Sequence, residues 1–134
     1  MKSDVIYDTE DHLSEAAIAS SATKLIPAQS VICVVRSGIL KHTFPIAVLS
    51  RAMCINQDII AFKPKTDSVS SKFLFYVLKT RSSFILADGI KPGVTVQSFY
   101  NGFFKDYAIP LPPLATQQAI VAEIEAEQAL VAAN

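Results

Sequence analysis

Catalysis or metal binding in this chain would have to start from His12, His42, Cys33 and Cys54, and their spacing supports neither. No CxxC or HxxxH pair occurs, so no metal site is expected. The glycine patterns that cradle phosphates, GxxxxGK[ST] and GxGxxG, are missing too, and no cofactor is expected. Asp58, Asp67 and Asp88 lie far apart along the chain, with no acidic pair followed by a lysine of the kind a nuclease needs. The chain therefore reads as non-catalytic, and its chemistry as that of binding. An enzyme would need a deep pocket holding Asp58 or Asp88 beside His42.

Charge is what the sequence offers instead. The formal net charge is zero, but its distribution is uneven. Residues 1–15 carry one base against five acids, residues 24–105 eleven bases against three acids, and residues 106–134 four acids and no base. A basic middle between acidic ends is what a polyanion would meet, unless bases and acids intermix on the folded surface.

At 134 residues the chain suits one domain with a real core, and at 51% hydrophobic it is too apolar to be disordered. No apolar run reaches the ~18 residues needed to cross a bilayer. The acidic opening MKSDVIYDTEDHLSE is unlike a secretory leader. A cytoplasmic protein with two buried free thiols is expected.

The elements that must position these charges follow from the apolar pattern. A Pro-Ala-Gln-Ser turn precedes the β-branched run Val31–Val35, a buried strand. The loop RSGILKHTF comes next, then strands over 45–49 and 55–62. Between Ser70 and Leu86 the spacing becomes helical, with Ser70 or Ser71 as cap and Asp88-Gly89 as terminator. Pro92-Gly93 and Asn101-Gly102 mark turns around an aromatic segment, Phe99 to Phe104. A last strand ends in Pro110, Pro112 and Pro113, which cannot donate to a sheet ladder. Together these give an α+β (mixed α/β) fold, β-rich, with a projecting C-terminal helix.

That helix begins near Ala115. Leu114, Gln117, Val121, Ile124, Gln128 and Val131 fall at 3-4 spacing, with Ile120 beside them, a seam suited to a coiled-coil partner. Glu123 and Glu127 are four apart and repel, so the helix is not tuned to stand alone. It can project and pair, or fold back on its own domain.

The stretch YAIPLPPLATQQAIVAEIE resembles the IPLPPLxEQxxIVxxIE signature that closes the target recognition domains of type I restriction–modification DNA specificity subunits. LSEAAIASSATKLIPAQSVICVVRSGIL, INQDIIAFKPK, KFLFYVLKTR and GVTVQSFYNGFFKDYAIPLPP are similar to further segments of that family in the same order. Thr116 stands where the family usually has glutamate, and Gln29 where it commonly has glycine. Such subunits carry two recognition domains, and this chain resembles the later part of one. The resemblance implies a partial recognition domain over 1–114 and a coiled-coil-type helix over 115–134. It implies double-stranded DNA, methyltransferase and restriction subunits, and a second recognition domain or second copy as partners. In the family the helix packs antiparallel against its counterpart.

A DNA-reading domain takes affinity from contacts to phosphates and specificity from a few side chains at base edges. Arg36 is the first candidate, because arginine can bond both O6 and N7 of guanine, and Gly38 lets its loop approach closely. Ser37, Lys41, His42 and Thr43 extend that loop. Gln57, in an expected strand, can pair with adenine or be a satisfied polar residue. Lys91, Thr95, Gln97 and Asn101 form a second candidate loop. The alternative to a reading module is a non-reading protein that pairs with itself or a specificity subunit through its C-terminal helix.

Overall fold

A computed structural model describes residues 5–6, 24–92 and 96–133. Among these residues there are six short strands: β1 (Val5–Ile6), β2 (Lys24–Ile26), β3 (Val31–Val34), β4 (Ile46–Leu49), β5 (Met53–Ile55) and β6 (Ile59–Phe62). A 3-10 turn, Gly38–Lys41, links β3 to β4, and three helices follow: α1 (Ser71–Thr80), α2 (Ser82–Gly89) and α3 (Leu114–Ala133). The fold is α+β with a C-terminal helix, as the sequence predicts.

The main sheet has the order β1-β4-β3-β6. β3 pairs antiparallel with both neighbours, Val31 facing Val48 on one side and Phe62 on the other, while β1 is parallel to β4. β2 and β5 form a separate antiparallel pair. β3 and β4 are apolar at every position because both sheet faces are covered. Val31, Cys33, Ile46 and Val48 point to one core with Phe75, Leu78 and Ile85 of the helices. Ile32, Ala47 and Leu49 point the other way, toward Ile26, Met53 and Ile55 of the small sheet.

Several local expectations are corrected. The predicted strand 55–62 is two strands in different sheets, separated by a corner in which Asp58 N–H donates to Asn56 Oδ1 at 2.9 Å. Gln57 sits exposed at that corner, not within a strand. The predicted helix from Ser70 to Leu86 breaks at Arg81, whose φ of −92° and ψ of 7° divide α1 from α2. Thr80, Ser82 and Ser83, which flank Arg81, are weak helix formers and favour a break there. Ser70 is the α1 cap, its side chain accepting from Phe73 N–H at 3.2 Å.

Gly89 ends α2 without a left-handed conformation; among the described glycines only Gly102 has one, with φ +77°. Gly89 is required for another reason: its α-carbon lies against the Phe99 and Phe103 rings. Val5–Ile6 forms a strand within the acidic opening. The segment 105–113 runs without regular structure, so the prolines follow no strand. Cys33 is buried and Cys54 half-buried, both free.

α3 begins one residue earlier than expected, at Leu114, with Pro113 C=O accepting from Thr116 and Gln117 N–H. As far as Gln128 it docks on α1. Gln117 and Val121 are buried, and Lys72 Nζ lies 3.4 Å from Glu125 Oε2. Tyr76 O–H donates to Gln128 Oε1 at 3.3 Å. The far end is exposed, Leu130 by 68% and Val131 by 76%.

Candidate nucleic-acid interface

The two loops singled out from the sequence meet through main-chain hydrogen bonds. Past the end of β3, Arg36 bridges antiparallel to Ser98, and Ile90 bridges to Phe99. Ser37 N–H donates to Gln97 C=O at 3.0 Å, Phe99 N–H to Val35 C=O at 3.2 Å, and Lys91 N–H to Ser98 C=O at 2.9 Å. The segment 97–99 is thus stitched between the end of β3 and the exit of α2. Arg36 and Lys91, far apart in sequence, flank it from opposite sides.

Beneath the segment lies an aromatic cluster. The Phe99 ring centroid is 5.5 Å from Phe44, 5.6 Å from Phe103 and 4.8 Å from Phe104, and Phe104 is 5.5 Å from Phe62. Phe103 reaches Tyr107 at 5.4 Å. Aromatic contacts of this kind contribute ~0.5–1.5 kcal/mol each beyond the area they bury. The Asn101-Gly102 turn makes the cluster possible: Gly102 supplies the positive φ, and Phe103 N–H returns to Tyr100 C=O at 3.2 Å. The rings on both sides of the turn then point into one place.

On this floor sits a groove of about 680 Å³. Val35, Ile60, Phe99, Phe103 and Phe104 form its apolar base, and Arg36, Lys91, Ser98, Tyr100, Asn101 and Lys105 its polar lining. Among the described residues, three cations line it and no carboxylate does. Anions entering meet these cations over an apolar floor, where attraction is screened less than in open water. Arg36 and Lys91 are carried on main chain fixed by the bonds above, and Lys105 N–H donates to Gly102 C=O at 3.1 Å, so little side-chain-bearing backbone needs ordering when a ligand binds.

Of the predicted contacts, the groove gathers Arg36, Lys91 and Asn101. Ser37 and Gln97 form its backbone support; the Ser37 hydroxyl accepts from Ile39 N–H at 3.3 Å and caps the 3-10 turn. Lys41 at the end of that turn, and His42 and Thr43 after it, are exposed and are not among the groove-lining residues. Gln57 lines a neighbouring hollow of about 350 Å³ that shares Ile60 with the groove. Thr95 lies outside the described residues. None of His42, Asp58 and Asp88 lines the groove, so the juxtaposition that an enzymatic reading needs does not occur there.

Sequence reasoning missed Lys105, Tyr100 and Ser98. The signal for Lys105 was present: a turn at Asn101-Gly102 folds the residues after it back beside those before it. The basic residues also do not all gather on one face. Lys72 is spent on Glu125 of α3, and Lys79 lies over the Phe75 ring, 5.4 Å from its centroid.

The predicted seam of α3 is likewise divided. Gln117 and Val121 are buried within the chain, Leu114 and Ile124 half-buried, and Gln128 bonded to Tyr76, so this face is directed at α1. Ile120 and Val131 remain exposed. No helix among the described residues is long and apolar enough to cross a membrane.

Comparison with known proteins agrees with the resemblance in the sequence. Over 117 residues the chain is 35% identical to the type I restriction enzyme EcoR124I/EcoR124II specificity subunit of Escherichia coli. That alignment covers 87% of this chain and 29% of the subunit, so the chain spans less than a third of its relative's length. A family model described as the type I restriction modification DNA specificity domain matches residues 3–128. With nearly all of its length inside that match, the chain belongs to the type I restriction modification DNA specificity domain family.

Proposed function

We propose that this chain is a sequence-reading module for double-stranded DNA within a type I restriction–modification complex, itself non-catalytic and acting in the cytoplasm. It directs methyltransferase and restriction subunits to their target. The observation that carries this reading is the groove: Arg36, Lys91 and Lys105 around an aromatic floor, with no carboxylate among the described lining residues. Lys91 and Lys105 hold phosphates. Arg36 reads guanine through paired bonds to O6 and N7, and Asn101 offers an amide suited to adenine. Lys41, His42, Thr43, Gln57, Gln97 and Thr95 belong to the wider contact surface of the same module.

A duplex titration followed by fluorescence anisotropy at ~50 and ~200 mM salt tests the proposal, because counterion release makes each phosphate contact salt-sensitive. Binding that weakens several-fold across this range supports it. Affinity that is absent at low salt, even with the methyltransferase subunit present, supports the non-reading pairing protein instead.

The partner helix meets α3 on the side turned away from α1. Ala115, Ala119, Ala122, Ala126 and Ala129 are all exposed there, at 4-3-4-3 spacing. Small side chains let a second helix, from another recognition domain or another copy, approach to ~8 Å. Ala122→Glu with Ala126→Glu, both on this surface, should lower the mass found by light scattering or abolish capture of a specificity subunit. An unchanged assembly would exclude this face.

A further inference from the structure

The Gln117 amide has no exposure to solvent, yet it is polar and sits on a helix that is otherwise expected to project. Its surroundings account for every hydrogen-bonding proton it has. Ser70 N–H donates to Oε1 at 2.8 Å, and Nε2 donates to Ser68 C=O and to Pro112 C=O, both at 2.8 Å. One acceptor and two donors are needed at one point, and neither glutamate nor leucine can supply them. The three partners come from two separate parts of the chain, the entry to α1 (Ser68 and Ser70) and the proline segment (Pro112), and Gln117 joins both to α3. Pro112 precedes the Pro113 cap and Gln117 is the fourth helical residue, the two positions that an apolar staple joins in many helices. Here a hydrogen bond replaces the staple and adds a tie to a segment 47 residues distant.

We infer that Gln117 is a positioning residue, the latch that fixes the direction in which α3 leaves the domain and so the angle at which a partner helix is held relative to the groove. The functional consequence rests on the reading given above; the latch itself does not. The polar ties between α1 and α3 themselves are exposed and longer, Lys72 with Glu125 at 3.4 Å and Tyr76 with Gln128 at 3.3 Å, and the apolar packing of Val121 and Ile124 is non-directional. Without the amide, α3 would pivot about its proline segment while the sheet and aromatic cluster stayed intact, since neither includes Gln117.

The test uses the full chain without DNA, so its failure is separate from failure of the DNA-reading proposal. Spin labels at Lys63→Cys and Glu127→Cys, in a Cys54→Ser background, report the distance from the sheet to α3 by pulsed electron resonance. The wild-type latch gives one narrow distance. Gln117→Leu, which keeps the shape and loses all three bonds, gives a broadened and displaced distribution in a protein whose circular dichroism is still native. The same narrow distance in both would overturn the inference. A second measurement needs no variant: hydrogen exchange at the Ser70 amide should be orders of magnitude slower than in an open loop. Exchange at loop rates would equally overturn it.

Discussion

Gly89→Ala tests the packing that holds the groove floor, because its sign is opposite to the usual one. In an ordinary exposed helix, alanine in place of glycine stabilises by ~1 kcal/mol. At position 89 an added Cβ would lie 2.7 Å from Phe99 Cε1 and 2.9 Å from Phe103 Cε1, and closer still to Phe99 Cδ1. Phe99 is buried and in ring contact with Phe44, Phe103 and Phe104, so it cannot swing aside without moving the cluster. Overpacking of this kind costs ~1–3 kcal/mol, which exceeds the helix gain at a terminal position. We expect a net loss of ~1–2 kcal/mol, which at ~2.1 cal/mol/K per residue lowers Tm by about 4–7 °C for a chain of this length. A thermal melt by circular dichroism, with near-ultraviolet spectra to follow the rings, measures it. A Tm that is unchanged or raised would refute the close approach of Gly89 to the rings.

Gln29 occupies the left-handed region at φ 68° while its N–H donates to Leu49 C=O at 2.8 Å. Gln29→Gly keeps that bond and removes the side-chain conflict, so the urea midpoint should rise, by ~0.5–1 kcal/mol of stability. Burial pushes the Cys33 thiol far above its ordinary range, so Ellman's reagent should find only Cys54 in the folded protein and both thiols after denaturation. Lys72→Ala should change stability by no more than ~0.5 kcal/mol, because the pair it forms with Glu125 is 54% and 44% exposed and screened by salt.

Much of this architecture was legible in the sequence because it is local. The all-apolar runs of β3 and β4, the Ser70 cap and the Asn101-Gly102 turn each depend on residues within a few positions of one another. What was not legible depends on distant contacts. The strand predicted over 55–62 divides because β5 and β6 find partners in different sheets. The last apolar stretch forms no strand, since its residues serve the aromatic cluster and the helix entry instead. Gly89 signalled a helix end, but its reason, two rings from another segment, cannot be seen from its neighbours. Gln117 read as a polar seam position because heptad spacing does not say which molecule the seam faces. In the site, Arg36, Lys91 and Asn101 were readable as donors on glycine-punctuated loops. Their convergence with Lys105 follows from the bridges that segment 97–99 makes on both sides.

The central claim, that the groove is the surface that meets DNA phosphates, is tested most directly by the salt dependence of duplex binding in single-lysine variants. Lys91→Ala and Lys105→Ala should each reduce the slope of log K against log salt by ~0.9, the share of one phosphate contact. Lys79→Ala, on α1 over the Phe75 ring, should leave the slope unchanged. Equal slopes for all three variants and the wild type would contradict the account.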